Sequence, residues 1–123
     1  MCIRDRYDFV LAPAVDGADE NHVAELDWRP MVRGLLGDVA SGVRQKVMAR
    51  RFHNTLVEMM ASVAGEHNGL SLLLTGGCFQ NRLLTELAIA RLAAAGGKVY
   101  WHQRVPPNDG GIALGQVLSL IHI

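Results

Sequence analysis

The chain is poor in cysteine and carries no excess of either charge. Its 123 residues include two cysteines, and 12 basic residues are balanced by 12 acidic ones. Two cysteines are too few for the disulfide framework of a small secreted protein, so we expect a reduced, cytoplasmic protein. The zero charge balance removes the electrostatic basis for binding nucleic acid or an anionic membrane.

Long apolar runs are also missing. No segment reaches the roughly 18 consecutive apolar residues of a membrane-spanning helix, and the start of the chain lacks the apolar core of about 7 to 15 residues found in signal peptides. Half of the residues are nevertheless hydrophobic. A chain of this length and composition can bury the core of one domain.

The histidines are too scattered to form a helical metal motif. No two of them lie three or four residues apart, so one face of a helix cannot supply a pair of histidine ligands. The five are His22, His53, His67, His102 and His122.

The most informative stretch is LSLLLTGGCFQNRLL, residues 70–84. Residues 70–74 are apolar or small and predict a short buried strand. Gly76 and Gly77 then permit a sharp turn and a close approach to a ligand. A helix predicted over about residues 81–95 begins with free N–H groups, which favour an anionic or strongly polar group. This order of strand, glycine turn and helix predicts a nucleotide-binding turn, and an ordinary strand-to-helix turn remains the alternative.

A second motif, VPPNDGGIALGQV, occupies residues 105–117 and predicts a rigid turn that begins another helix. Pro106 and Pro107 hold the chain extended, and Asn108 or Asp109 can cap the helix. Beside two glycines, the Asp109 carboxylate can instead be an oxygen ligand of a metal ion. Both uses of Asp109 remain open from the residues alone.

The rest of the pattern predicts an α/β chain. A strand at residues 98–102 follows the helix after residues 70–74, which implies parallel strands, a right-handed crossover and a ligand site at the strands' carboxyl ends. Upstream we expect a strand at 7–12, a loop at 13–26, a short helix from Asp27 to about residue 36, and a helix at 45–64. The core face of that last helix comprises Met48, Phe52, Leu56, Met59, Met60 and Val63.

Two further features have a structural and a functional interpretation. Arg44, Lys46, Arg50 and Arg51 form a basic cluster, which is most often a solvated helix face and less often a docking patch for a protein partner. Cys78 lies beside the glycine turn, where we expect a small buried hydrophobic residue rather than a reactive thiol.

Taken together, TGGCFQNRLL and VPPNDGGIALGQ resemble the C-terminal part of the HypF carbamoyltransferases, which act in nickel-iron hydrogenase maturation. LDWRP at 26–30 and ARRFHNTL at 49–56 look similar to the same family, so the resemblance covers about residues 7–118. A more distant likeness extends to the tRNA threonylcarbamoyltransferases of the TsaD-like family. Residues 1–6 and 119–123 do not continue the pattern, and we expect them to be non-native ends.

The resemblance implies a fold and a set of site residues. The fold would be the second lobe of an actin-like, ribonuclease-H-like ATPase, with parallel strands and crossover helices. Gly76, Gly77 and Asn81 would contact the nucleotide, and Asp109 would be one ligand of a divalent metal ion beside the phosphates. No catalytic residue is assigned. The family's other metal ligands, an upstream histidine pair and a further acidic residue, are missing from this sequence.

The resemblance also implies a function for the full-length protein. ATP and carbamoyl phosphate would yield carbamoyl-adenylate, and this domain would pass the carbamoyl group to the C-terminal cysteine of a HypE-like acceptor protein. The alternatives are a tRNA threonylcarbamoyltransferase-like enzyme and a noncatalytic nucleotide-binding or interaction lobe. Because one carboxylate cannot hold a divalent ion tightly, we expect the chain alone to bind metal weakly and to be inactive.

Overall fold

The computed structural model describes residues 5–12, 24–67 and 69–121. The chain divides into two compact units, Met1–Glu66 and His67–Ile123. Several sequence predictions fall outside the described residues: residues 13–23 of the predicted loop over 13–26, residues 1–4 and 122–123 of the proposed non-native ends, Cys2, His22 and His122. The predicted loop is wrong at its end, because residues 25 and 26 belong to a strand, Glu25–Asp27, that pairs with the strand before the loop. None of the described helices combines the length and apolarity needed to cross a bilayer.

The first unit contains a two-stranded antiparallel sheet and two helices. Strands β1 (Val10–Ala12) and β2 (Glu25–Asp27) pair with Leu11 opposite Leu26. Helices α1 (Arg29–Ala40) and α2 (Gln45–Glu66) follow. The core consists of the buried residues Tyr7, Met31 and Met59, with Phe9, Leu26, Val32, Leu35, Phe52 and Leu56 packed against them.

Helix α1 starts where the sequence predicts and ends later. Asp27 Oδ1 accepts a hydrogen bond from the Arg29 N–H at 2.9 Å, as expected for a carboxylate at a helix start. The predicted end near residue 36 is wrong, because the helix continues through Gly37 to Ala40. A single glycine costs a helix only about 1 kcal/mol, which the surrounding helical residues and their packing offset.

Helix α2 confirms the predicted long helix, but its buried face differs from the prediction. Met59 is buried, whereas Val63 is 41% exposed. The polar residues Asn54 and Thr55 are buried instead, because the segment preceding β1 crosses them. The Asn54 amide donates to the Asp5 carbonyl oxygen, and the Thr55 hydroxyl accepts from the backbone N–H of residue 7, both at 2.8 Å.

The second unit is built on the parallel strand pair that the sequence predicts. Strands β3 (Ser71–Leu74) and β4 (Lys98–Trp101) pair with Leu74 opposite Trp101. Helix α3 (Arg82–Ala94) connects them, and helix α4 (Ile112–Ile121) ends the unit. The α/β class with parallel strands is therefore confirmed, and residues 119–121 continue α4.

The buried side of α3 is a narrow stripe. Leu84, Ala88 and Leu92 are buried at a spacing of four residues. Leu83 is 52% exposed, because consecutive positions on a helix face about 100° apart. The core of this unit thus consists of one α3 stripe together with the buried Leu74 of β3.

Candidate functional site

The two sequence motifs lie side by side in the second unit. Strands β3 and β4 end in register, and the glycine turn follows β3 directly. The backbone N–H of Gly76 donates a hydrogen bond of 2.7 Å to the carbonyl oxygen of Pro107. The glycine turn is therefore joined to the loop that carries Asp109, at the carboxyl edge of the parallel strands where ligands bind in sheets of this kind.

Gly76 is required by its backbone conformation. Its φ of 102° and ψ of 163° lie in a region that is essentially restricted to glycine. An added Cβ at Gly76 or at Gly77 would meet no atom within 4 Å, so this side of the turn is open. The turn thus offers space for the close approach of a ligand. The Gly76 N–H already donates to the Pro107 carbonyl oxygen. Gly76 therefore determines the shape of the turn rather than offering a hydrogen-bond donor to a ligand.

Asn81 lies at the start of α3 and acts as its N-cap. Its Oδ1 accepts a hydrogen bond of 3.2 Å from the Leu84 N–H. A 3₁₀ turn, Gly77–Gln80, separates Asn81 from Gly76. The sequence did not predict this turn, and it moves the first N–H groups of α3 away from Gly76.

The 3₁₀ turn also explains the position of Cys78. We expected this residue to be buried, but the structure places it as an exposed free thiol. Within the turn Cys78 and Gln80 are exposed and Phe79 is half-buried, and the sequence pattern does not reveal which of these side chains face solvent.

Asp109 begins the 3₁₀ turn Asp109–Gly111, which leads into α4. Its side chain is exposed. The cap is its neighbour Asn108, whose Oδ1 accepts from the Gly110 N–H at 3.1 Å. Gly111 is needed for packing, since an added Cβ would lie 2.8 Å from the Pro106 carbonyl oxygen. Of the two residues that could cap, Asn108 does so, and the Asp109 carboxylate is left facing solvent.

A polar pair that the sequence reasoning missed lies at the same edge of the sheet. Thr75 Oγ1 and His102 Nε2 are 2.9 Å apart, and each residue directly follows the end of its strand. Both line a hollow of about 350 Å³ whose other walls are largely apolar. Those walls include Val105, Pro106, Ile112, Leu114 and Leu118. The pair could have been found from the rule that the carboxyl ends of parallel strands meet at one edge.

The described residues do not by themselves form a metal centre. Within residues 5–12, 24–67 and 69–121, no three His, Cys, Asp or Glu side chains are grouped so that they could hold a metal ion. Asp109 alone offers one carboxylate, and divalent ions take several ligands. A metal ion at Asp109 would need ligands from elsewhere.

The second unit is a parallel α/β unit with an open turn at its strands' carboxyl edge, and comparison with known proteins identifies the family of the chain. The profile described as carbamoyltransferase, Kae1-like domain, second subdomain, matches residues 6–116. The chain therefore belongs to the HypF carbamoyltransferase family, as the second subdomain of its Kae1-like domain. The resemblance drawn from the two motifs is confirmed.

Individual relatives agree with this assignment. The chain is 36% identical over 96 residues to the carbamoyltransferase HypF of Synechocystis sp., covering 78% of this chain and 12% of that protein. It is 44% identical over 98 residues to the carbamoyltransferase HypF2 of Cupriavidus necator, covering 75% of this chain and 11% of that protein. The chain thus spans about one eighth of the length of these relatives.

A solved structure shares the fold. It is the crystal structure of full-length HypF in the phosphate- and nucleotide-bound form, with a TM-score of 0.78 and 30% sequence identity. The match covers 94% of this chain and 15% of that one. The likeness therefore extends over nearly the whole chain and a small part of a much larger protein.

Proposed function

We propose that this chain is part of a HypF-like carbamoyltransferase and forms the nucleotide-binding edge of its transfer domain. The full-length protein would use ATP and carbamoyl phosphate to make carbamoyl-adenylate. It would then transfer the carbamoyl group to the C-terminal cysteine of a HypE-like acceptor protein during nickel-iron hydrogenase maturation. The domain would be the second lobe of an actin-like ATPase fold, working in the cytoplasm without nucleic acid or membrane.

The observation that carries the proposal is the hydrogen bond between Gly76 and Pro107. It brings together two motifs that are far apart in the sequence and that both match one carbamoyltransferase family. A glycine turn with open space beside it, next to an exposed carboxylate at Asp109, suits a nucleotide and its charged phosphate end.

Each predicted site residue has a limited role in this proposal. Gly76 shapes the turn and Gly77 lets the adenylate approach the backbone. Asn81, at the start of α3, contributes a side-chain amide next to the turn. Asp109 contributes one metal ligand, and the remaining polypeptide of the full-length protein supplies the others.

The chemistry requires the adenylate to be held while a thiolate attacks. The acceptor sulfur forms a bond to the carbamoyl carbon, and the bond from that carbon to the adenylate oxygen breaks, releasing AMP. Binding contributes to such a reaction by fixing the reacting atoms in position. This chain would fix the adenylate end, since the sheet edge carries the open turn and the exposed carboxylate.

The test is a transfer assay with the full-length protein that contains this chain. It is incubated with ATP, carbamoyl phosphate and a HypE-like acceptor, and mass spectrometry locates the carbamoyl group on the acceptor. We expect modification of the C-terminal cysteine and none on an acceptor that lacks it. Nucleotide binding without transfer would instead identify a noncatalytic lobe, and threonylcarbamoylation of tRNA would identify the tRNA-modifying alternative.

A further inference from the structure

The first two turns of α2 and the residue that precedes them carry a concentration of cationic side chains that the proposed function does not use. Arg44, Lys46, Arg50 and Arg51 line a hollow of about 330 Å³ in the first unit, together with Val47 and Asp5. From the sequence alone, this cluster can be a solvated helix face or a docking patch for a protein. Its geometry indicates a third use.

Most of these cations lack a compensating charge. Arg51 is paired, with its Nη1 atom 2.7 Å from Asp38 Oδ2. In the part of the chain that the structure describes, no carboxylate forms an ion pair with Arg44, Lys46 or Arg50. Asp5 adds one carboxylate to the wall of the hollow. Among the described residues, three cations without an ion pair thus share a small space with one carboxylate, Asp5, whose charge also acts on Arg51.

Two of these cations, Arg44 and Lys46, lie at the start of a helix, which is also unfavourable. The Arg44 carbonyl oxygen accepts from the N–H groups of Val47 and Met48 at 2.8 and 3.2 Å, so the helix begins here. Its first turn contains no acidic residue. Because a helix N-terminus carries partial positive charge, cations there lower stability and an anion raises it. A bound anion would reduce the repulsion among the cations and the repulsion between the cations and the helix N-terminus.

The walls of the hollow are held in place by hydrogen bonds to neighbouring elements. Asp38 holds the Arg51 guanidinium and accepts a hydrogen bond of 2.8 Å from the Tyr7 hydroxyl. The Asn54 amide holds the backbone of Asp5 at 2.8 Å. A preorganised wall lowers the cost of ordering side chains when a ligand binds.

We propose that this hollow binds a small ligand that carries a phosphate group. Guanidinium and ammonium groups donate charge-assisted hydrogen bonds to phosphate oxygens, and the exposed N–H groups of a helix start add to them. The volume suits one phosphorylated small molecule. This site lies in the first unit and is separate in sequence from Gly76, Gly77, Asn81 and Asp109.

The test is a titration of the 123-residue chain with inorganic phosphate at constant ionic strength, with chloride as the balancing salt. Amide chemical shifts of Val47 and Arg50 report local binding. We expect saturable shifts with phosphate and none with chloride alone. The double variant Arg44→Gln, Arg50→Gln should bind at least about tenfold more weakly, since each charge-assisted bond contributes more than a neutral one.

Two matched variants separate binding from structure. Arg33→Gln removes an exposed cation from α1 in the same unit and should leave phosphate affinity unchanged. Asp5→Asn removes the opposing carboxylate and keeps the backbone carbonyl that Asn54 contacts, so affinity should rise. In the absence of phosphate, the double variant should melt no lower than the wild type, because it relieves repulsion at the helix start.

The outcomes decide the proposal. Equal shifts with chloride, unchanged affinity in the double variant, or an equal loss in Arg33→Gln would overturn it. If the Val47 and Arg50 amides report tighter binding of AMP than of phosphate, the source is a phosphorylated metabolite, and equal affinity at these amides would identify free phosphate. Tighter binding of an acidic peptide than of either phosphate ligand would overturn the proposal in favour of a protein docking patch.

Discussion

The N–H of Gly76 lies 2.7 Å from the carbonyl oxygen of Pro107 and donates a hydrogen bond to it. The contact joins the turn after β3 to the loop after β4, so the shape of one motif depends on the other. Gly76 holds a backbone conformation that other residues avoid, and this bond helps to keep it there.

Replacing Gly76 should therefore lower the free energy of unfolding, while replacing its neighbour Gly77 should not. Gly76→Ala forces a side chain into a conformation that costs about 1–3 kcal/mol, and the free energy of unfolding should fall by that amount. Gly77 does not have a positive φ in the disfavoured range, and its Cβ would meet open space. Urea denaturation of both variants measures the difference, and equal losses would contradict the assigned role of Gly76.

The Gly77 variant also tests the approach of a ligand in the full-length protein. Gly77→Ala should keep the fold but weaken nucleotide affinity, because the added methyl group occupies the open side of the turn. Calorimetry with a nucleotide measures this effect. If Gly77→Ala bound nucleotide as tightly as the wild type, Gly77 would not belong to the binding surface.

Asp109 and Asn108 should separate function from stability. Asn108→Ala removes the cap on Gly110 and should lower the free energy of unfolding by about 1 kcal/mol. Asp109→Ala removes an exposed carboxylate and should change it by less than about 0.5 kcal/mol. In the full-length enzyme, Asp109→Ala should abolish carbamoyl transfer while Asn108→Ala keeps it. The reverse pattern would remove Asp109 from the metal site.

Divalent metal should bind the 123-residue chain only weakly. Asp109 is the one site carboxylate here, and the described residues offer no group of three metal-binding side chains. Calorimetric titration with a divalent ion should give no tight isotherm. Tight binding that disappears in Asp109→Ala would show that the remaining ligands lie within this chain.

Alanine substitutions at two glycines of α1 should change the stability in opposite directions. A Cβ at Gly34 would lie 2.9 Å from Tyr7 Cδ1, whereas one at Gly37 would meet no atom within 4 Å. Overpacking costs about 1–3 kcal/mol, so Gly34→Ala should lower stability. Gly37→Ala should raise it by about 0.5–1 kcal/mol through helix propensity. Thermal unfolding of both variants gives the comparison, and stabilisation by Gly34→Ala would show that Tyr7 is free to shift.

Stability of the first unit should fall at high pH through Tyr7. Burial, followed by the hydrogen bond to Asp38 and its charge, raises the pKa of Tyr7 from 10.0 to about 12. A raised folded-state pKa means that the stabilisation is complete below pH 10 and is lost progressively as the pH rises from 10 to about 12. Denaturation across this range should show the loss, and Tyr7→Phe should lack it. Tyr100→Phe, which replaces an exposed tyrosine, should keep it.

Predictions from local pattern succeeded where one element could be identified from its own residues. The β3 strand, the helix after Asn81 and the strand predicted at residues 98–102 are all present, and the parallel pairing follows from their order. Errors arose where neighbours decide the outcome. Helix α1 continues past its predicted end near residue 36, because its packing offsets the cost of Gly37. Val63 was expected on the core face of α2 but is exposed, because a linear pattern does not show which side of a helix is covered.

The candidate site was predicted in the same uneven way. The glycine turn and the loop with Asp109 were recognised as motifs, and the capping choice between Asn108 and Asp109 remained open until the structure assigned it to Asn108. Thr75 and His102 were missed as a pair, because their contact exists only once β3 and β4 are in register.

The amino-acid sequence alone determined the family, the α/β class and the places where the chain turns, because glycine, proline and capping side chains act on backbone only a few residues away. The tertiary structure decided which distant groups meet. Gly76 reaches Pro107, Tyr7 reaches Asp38, and the polar side chains of Asn54 and Thr55 become buried. Those contacts depend on how whole elements pack, and no local preference encodes the approach of residues so far apart in the chain.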